Sequence, residues 1–387
     1  MALSLISLLW FAVVTVFLYH LVRVFFSRAS IPPPPDGMTQ ADHFVTIIVP
    51  ARNEEKNIEG CLLSLLRQNY PAGRYRVIAV DDHSTDSTPE IISGLCRQYP
   101  HLESATVDEL PEGWTGKNHA CRHGARLAAG RWIGFIDADT ESKPDLIRSA
   151  VSFADSDQID LLSLSPFQKL LSWQERLFLP AVFLMIASSI DVKRINERRR
   201  PEAIANGQFL FFRKKAYDAL GGHSSVKGEI MEDVAFAELV KQKGFRLFFA
   251  FGDSLISTRM YRNLRQLWEG FSKNLATLLK IRGYPRMVAV ALRSIAIGWG
   301  AVILPVWAWV DRSALYAGFS RLPASIVVFL AASSLIMMYL ATLRELRVPF
   351  PYVLGMPIGF TLLSALIVNS VIRHRKGEKR WKGRTYS

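Results

Sequence analysis

Apolar residues fall into three kinds of run along this chain. The first kind is long and unbroken. Leu3 to Val22 reads LSLISLLWFAVVTVFLYHLV, with no Asp, Glu, Lys or Arg; as a helix it is long enough to cross ~30 Å of hydrocarbon. Comparable runs stand near Met287–Val310, Pro323–Leu343 and Tyr352–Ile372, separated by turns that carry Asp311, Arg312, Arg344, Glu345 and Arg347. Three such runs in succession argue for spans rather than for buried helices of a soluble core. The second kind is short and ends on polar residues. Phe44 to Val49 stops at Pro50, Tyr75 to Val80 stops at Asp81-Asp82, and Trp132 to Ile136 stops at Asp137-Ala138-Asp139; each reads as a buried strand. The third kind is periodic. Ile58, Cys61, Leu62, Leu65 and Leu66 share one face of a helix expected to start from an Asn53 cap, and Thr88-Pro89 opens another helix. A helix from Gly116 to about Ala129 is expected as well.

Strands alternating with helices predict an α/β fold with a mostly parallel sheet and helices on both faces. Ligands of such sheets bind beyond the carboxyl ends of the strands. If the three strands run parallel, the polar clusters Ala51–Glu55, Asp81–Asp86 and Asp137–Asp139 meet on one rim. The expected organisation is an N-terminal anchor (1–26), a proline-rich spacer (27–42), a catalytic domain (43–255), an interfacial segment (256–286), C-terminal spans (287–373) and a basic tail (374–387). Leu171–Ile190, which mixes apolar residues with Trp173, Glu175 and Arg176, reads as an interfacial helix.

Composition sharpens this picture. Half of the 387 residues are hydrophobic, and the formal net charge is +13. A basic chain suits an anionic lipid surface or nucleic acid, and no nucleic-acid-binding motif is present. No charge precedes the first apolar run and Arg23 and Arg28 follow it, which favours an uncleaved anchor over a signal peptide, with the next segment in the cytoplasm. The expected location is a multi-pass protein of the cell inner membrane. Four spans would return the basic tail to the outside, against the positive-inside tendency. The three cysteines, Cys61, Cys96 and Cys121, lack metal-ligand spacing and read as reduced core thiols.

The candidate chemistry sits at the strand ends. Asp137 and Asp139 can hold a divalent cation, Mg2+ or Mn2+, with a diphosphate supplying further oxygens; a solvated turn is the plain alternative. Asp81 and Asp82 can accept from a ribose hydroxyl or a base N–H, though Ser84, Asp86 and Thr88 also suit a capping loop. Lys117 at a helix start can meet phosphate. Glu232 and Asp233 open a helix, where acids are favoured by the dipole alone; one of them can also take the proton of an acceptor hydroxyl. Tyr261 to Trp268 is cationic and aromatic ahead of a span, as interfacial anchors are, and it could also clamp a diphosphate. No Ser/His/Asp or Cys/His arrangement stands out.

Together, Val49-Pro50-Ala51-Arg52-Asn53-Glu54-Glu55, Val80 to Asp86, Gly116-Lys117, Asp137-Ala138-Asp139 and Glu232-Asp233 resemble the family 2 glycosyltransferases with the GT-A fold. Gly113-Trp114-Thr115-Gly116-Lys117, Asn206-Gly207-Gln208-Phe209 and Gly221-Gly222-His223 are similar to the hopanoid-associated and ceramide-glucosyltransferase-like branch. The resemblance implies an inverting, metal-dependent transfer from a nucleotide-sugar, UDP-sugar foremost, to a hydroxyl of a membrane lipid. It implies that Pro50, Ala51, Arg52, Asn53, Glu54, Asp81, Asp82, Lys117 and Asp137 bind the donor and that Asp137 and Asp139 hold the metal. It further implies that Asp233, with Glu232 beside it, is the catalytic base. Arg265 and Trp268 would match the family's segment near acceptor and diphosphate, although Gln266-Leu267 rather than arginine precede Trp268. Asn118-His119-Ala120 also departs from the Ala-Leu-Asn that follows the lysine in many relatives. A processive polysaccharide synthase, an inactive membrane scaffold of the same fold and a nucleotidyltransferase are the competing expectations.

Overall fold

The computed structural model describes residues 2–34, 43–281, 283–310, 322–375, 379–381 and 384–386. The second half of the proline-rich spacer, the turn expected at Asp311 and Arg312, and parts of the basic tail lie outside the described residues. The chain forms two compact units.

One unit comprises Ser27–Gln168, Asp191–Met260 and Arg380–Ser387. Its strands are β1 (Val45–Ala51), β2 (Tyr75–Asp81), β3 (Leu102–Thr106), β4 (Trp132–Ile136), β5 (Thr140–Ser142), β6 (Leu161–Ser165), β7 (Phe167–Gln168), β8 (Phe209–Arg213), β9 (Leu247–Phe251) and β10 (Ile256–Thr258). Seven build one sheet in the order β3-β2-β1-β4-β8-β6-β9, and β5, β10 and β7 form a small second sheet. β1 pairs in parallel with β2 and β4, and β2 with β3. β8 alone runs against its neighbours β4 and β6, while β6 and β9 are parallel. The mostly parallel sheet expected from the sequence is therefore what forms, and the ends of β1, β2 and β4 share one rim. Val45 to Val49 are buried without a break, as the strands of a sheet covered on both faces must be.

The helices over this sheet bury the expected faces. Ile58–Leu66 sinks Ile58, Cys61, Leu62, Leu65 and Leu66. Asn53, however, does not cap it. Asn57 holds the cap position without a side-chain cap bond, its amide donating instead to Glu54 Oε2 at 2.8 Å, and Asn53 has φ +52°, left-handed backbone that asparagine tolerates better than most residues. The helix Gly116–Leu127 is capped by the Thr115 hydroxyl, which accepts from the Asn118 N–H. It packs close on the sheet because residue 124 is glycine: a Cβ there would lie 2.7 Å from Ile48 and 3.0 Å from Val80. That close approach sets the height of Lys117 over the rim.

The other unit comprises Met1–Phe26, Lys169–Ile190 and Tyr261–Lys379. It is helical: Ala2–Phe26, Trp173–Ala187, Leu264–Leu278, Tyr284–Val310, Leu322–Glu345 and Met356–Arg375. Four segments, Ile6–Phe26, Tyr284–Val310, Ser325–Glu345 and Phe350–Arg375, are long and apolar enough to cross a membrane by length and composition. Two expectations change here. The helix Trp173–Ala187, placed by its sequence position inside the expected catalytic segment, groups with the apolar helices and buries Phe178, Leu179, Ala181, Val182, Leu184 and Met185. Its Leu177 carbonyl meets Gly359, where a Cβ would come within 2.7 Å. The segment 256–286 also divides: β10 belongs to the sheet-bearing unit, and the chain from Tyr261 belongs to the helical one.

Candidate active site

Two of the rim loops are stitched together. The Asn53 N–H donates to Ser84 Oγ at 2.9 Å, and Asn53 Oδ1 accepts the Thr85 N–H at 2.8 Å. The Glu54 N–H donates to Thr88 Oγ1 at 2.8 Å and the Glu55 N–H to Asp86 at 3.1 Å. The left-handed turn at Asn53 thus serves the neighbouring loop rather than its own helix. Pro50 and Ala51 close β1 beneath this stitching, and Ala51 is aligned with Asp81. Arg52 donates to the Asp82 carbonyl, and its guanidinium lies 3.9 Å from the Asp82 carboxylate. Asp82 is buried at 2% exposure. Asp81 Oδ2 accepts the Ser84 N–H at 3.3 Å, while Oδ1 is buried and accepts nothing among the described residues. A buried acceptor of that kind suits a donating ligand group, a hydroxyl or a ring N–H.

The second assembly is a charge cluster. Lys117 Nζ lies 2.7 Å from Asp137 Oδ1 and 2.7 Å from Glu232 Oε1. Burial works against the ammonium charge, but Asp137 and Glu232 outweigh it and hold the Lys117 pKa well above its usual value. Burial pushes the Glu232 carboxyl up to about 7, with Asp233 adding to the rise and Lys117 opposing it. Asp233 is raised too, mainly by burial, against the pull of Lys117. Its Oδ2 accepts the Gly207 N–H at 2.8 Å and its Oδ1 the Val234 N–H at 2.8 Å. The loop ahead of this helix is tied to Asn118, whose side-chain amide donates to the carbonyls of Val226, Lys227 and Glu229 at 2.8, 3.2 and 2.9 Å.

Asp137 and Asp139 sit where β4 ends. The turn is closed by Thr140, whose N–H and hydroxyl both donate to the Asp137 carbonyl at 3.2 and 2.9 Å. Among the described residues, no group of three or more His, Cys, Asp or Glu forms a protein-only metal cage. Two carboxylates at one turn are instead the donor set of a hard cation that takes its remaining oxygens from phosphate. Asp137 and Asp139 are of the residue type that fits a divalent cation sharing oxygens with a phosphate ligand, with Asp137 Oδ1 also held by Lys117.

Of the residues singled out in the sequence, the structure gathers Pro50 to Glu54 with Asp81 and Asp82, and Lys117 with Asp137, Glu232 and Asp233. Arg265 and Trp268 lie in the helical unit, on Leu264–Leu278. There Arg265 is exposed and paired with Glu269 at 3.2 Å. Together with Leu264, Trp268 and Arg373 this pair lines an open cavity of about 360 Å³. Sequence reasoning missed the part played by the segment Asn206 to Gln208, which it used only for resemblance. The glycine between two amides just before a buried strand was the available signal.

A seven-stranded sheet with a single antiparallel strand, and with acid-bearing loops at the ends of β1, β2 and β4, is the GT-A glycosyltransferase fold. The mannosyltransferase PcManGT of Pyrobaculum calidifontis, solved with GDP-Man and Mn2+, superposes with a TM-score of 0.56 over 97% of this chain and 100% of that one, at 19% identity. Residues 46–221 match the model of glycosyl transferase family 2. The 4,4'-diaponeurosporenoate glycosyltransferase of Staphylococcus aureus strain USA300 is 30% identical over 241 residues, 60% of this chain and 61% of that protein. The enzyme of the same name from strain MRSA252 matches to the same extent. The chain thus spans 61% of the length of the curated relatives it matches.

Proposed function

We propose that this protein is an inverting glycosyltransferase of the cell inner membrane, with its sheet-bearing unit in the cytoplasm. It moves a sugar from a nucleoside diphosphate, UDP foremost, to the hydroxyl of a membrane lipid. The observation that carries this reading is the cluster in which Lys117 binds Asp137 on one side and Glu232, neighbour of Asp233, on the other. It joins a candidate leaving-group site to a candidate base.

In this reading Asp81 and Asp82 hold the nucleoside, through the open acceptor Asp81 Oδ1. Arg52 keeps Asp82 in place, and Pro50, Ala51, Asn53 and Glu54 form the wall that the Asn53 turn stiffens. Lys117 faces the diphosphate. The acceptor oxygen attacks the anomeric carbon as its proton passes to the Asp233 carboxylate. The bond from that carbon to the diphosphate oxygen breaks, and its electron pair leaves with the nucleoside diphosphate. Positive charge gathers on the sugar and negative charge on the departing phosphate, and the Lys117 ammonium meets the latter. Asp137 and Asp139 would hold a divalent cation, which would supply Lewis-acid stabilisation to that phosphate. Crystals of the mannosyltransferase with GDP-Man and Mn2+ support both the donor class and the metal.

A lipid acceptor is supported by four helices of spanning length and by relatives named for a polyene carboxylate. A carboxylate acceptor carries no proton to remove at neutral pH, whereas a hydroxyl does. With a hydroxyl acceptor, Asp233 would take that proton. Hopanoid, sphingolipid-like and carotenoid lipids are the acceptors to try. The test is to incubate the purified full-length protein with labelled UDP-sugars, Mn2+ and each lipid, and to assign the product's anomeric configuration by NMR. A single lipid-linked sugar of inverted configuration supports the proposal. A retained configuration, or a growing polysaccharide, rejects it.

A further inference from the structure

One short segment reaches both halves of the proposed site. Asn206 to Gln208 leads into β8, the antiparallel strand, and register alone brings it beside the end of β4, where Ile136 is aligned with Phe209. The segment is held from the sheet side: the Asn206 N–H donates to Ser163 Oγ at 2.8 Å, the Phe209 N–H to the Asn206 carbonyl at 3.1 Å, and Asn206 Oδ1 accepts the Gln208 N–H at 3.0 Å. From this fixed base two arms extend. The Gly207 N–H donates to Asp233 Oδ2 at 2.8 Å. The Gln208 carbonyl accepts the Asp137 N–H at 3.4 Å, and the Gln208 side chain donates to Thr258 Oγ1 at 3.1 Å, which in turn donates to the Asp139 carbonyl at 3.1 Å.

Gly207 itself lies against the charge cluster. A Cβ built on it would sit 3.1 Å from Glu232 Oε1, 3.1 Å from Lys117 Nζ and 3.4 Å from Asp233 Oδ2. Those distances are tighter than ordinary contacts, and the atoms met are the tips of charged side chains. Gly207 is not among the residues with positive φ, so alanine fits the backbone and the whole conflict falls on the Lys117–Glu232 pair.

We propose that Gly207 is a positioning residue: its amide aims Asp233, and its missing side chain leaves room for Lys117 to bridge Asp137 and Glu232. The segment around it spaces the base from the carboxylates of the donor site. This inference rests on the transferase reading given above.

The test is a double-mutant cycle with steady-state kinetics on the full-length protein. Displacement of a reacting group by a fraction of an ångström to one ångström costs up to about a hundredfold in rate. Gly207→Ala should therefore lower kcat by roughly 30- to 100-fold and change donor KM by less than about threefold. Glu232→Asp withdraws the carboxylate that the new methyl meets. Adding Gly207→Ala to Glu232→Asp should then cost at least about fivefold less than adding it to the unaltered protein. A kcat for Gly207→Ala within threefold of the unaltered protein overturns the proposal. So does a rise in KM that matches the fall in kcat, or a cost that is the same in both backgrounds. If the unaltered protein turns over no nucleotide-sugar at all, the transferase reading falls and this inference with it.

Discussion

Lys117 stands 2.7 Å from Asp137 and the same distance from Glu232, so that one ammonium joins two acids drawn from different parts of the chain. Asp137 ends a strand and Glu232 begins a helix, and neither contact is local. The lysine thereby neutralises acids that burial would otherwise leave exposed to one another.

Removing it should cost both stability and turnover. Breaking a buried ion pair leaves an uncompensated charge and costs about 3–5 kcal/mol. The Lys117 side chain retains 19% exposure, so Lys117→Ala is expected at the lower end or below, about 2–3 kcal/mol. Thermal unfolding in detergent would record this as a drop in Tm of several degrees. Donor-dependent turnover should be lost, and Lys117→Arg should restore the Tm more fully than the rate, because the planar fork cannot replace a point charge held by two carboxylates.

The acids set a pH dependence. Glu232 is pushed up to about 7 by burial, and Asp233 is raised as well. A general base works only when ionised, so kcat should climb as pH rises through the titration of this pair, on a limb far above the ordinary carboxylate range. Glu232→Gln takes away a neighbouring negative charge, and the limb should move to lower pH. Stability runs the other way. A carboxyl with a raised pKa in the folded state contributes stability that is full below the unfolded pKa and is lost as pH rises through about 7. The Tm of the ligand-free protein should fall over that interval, and fall less in Glu232→Gln. Parallel pH–rate and pH–Tm series check both signs.

Metal dependence should follow the two carboxylates at the β4 turn. Calorimetric titration of UDP is expected to show binding that strengthens with Mn2+ and weakens on chelation. Asp139→Ala should abolish the Mn2+ effect, with the fold intact by circular dichroism. Binding of UDP that ignores both the metal and the substitution would contradict the assignment.

How much of this could be read from residues alone depends on how local each signal is. The ends of β1, β2 and β4 were legible because each apolar run stops on a polar cluster. The face of Ile58–Leu66 was legible from its spacing. β8 was not: its partners β4 and β6 lie far away in sequence, and its antiparallel direction leaves no mark on Phe209 to Arg213. Asn53 misled because an asparagine before a helix looks like a cap, and only the backbone shows its left-handed turn. Within Trp173–Ala187, Glu175 and Arg176 look like surface residues from the sequence. In the structure Glu175 is buried and accepts the N–H groups of Leu171 and Ser172, completing a capping box.

Asn118 is a further departure from the family pattern that the structure explains. Its side-chain amide serves three carbonyls of the loop leading to Glu232. Asn118→Leu should leave the Glu229 carbonyl without this donor, while the Val226 and Lys227 carbonyls keep the Glu229 and Thr115 N–H groups, at a cost of about 1–3 kcal/mol. Urea unfolding would measure that cost. The rate should fall more than donor binding, because the loop bears on the base rather than on the nucleoside.

The most direct test of the central claim is release of UDP by the purified protein with Mn2+, a panel of UDP-sugars and lipid extract, compared with Asp233→Asn and Asp139→Ala. The account predicts lipid-dependent release that falls by about 10²- to 10⁴-fold in Asp233→Asn, the contribution of a general base, and is lost in Asp139→Ala. Release at the same rate in all three proteins, or in none of them with UDP-, GDP- or dTDP-sugars, would contradict it.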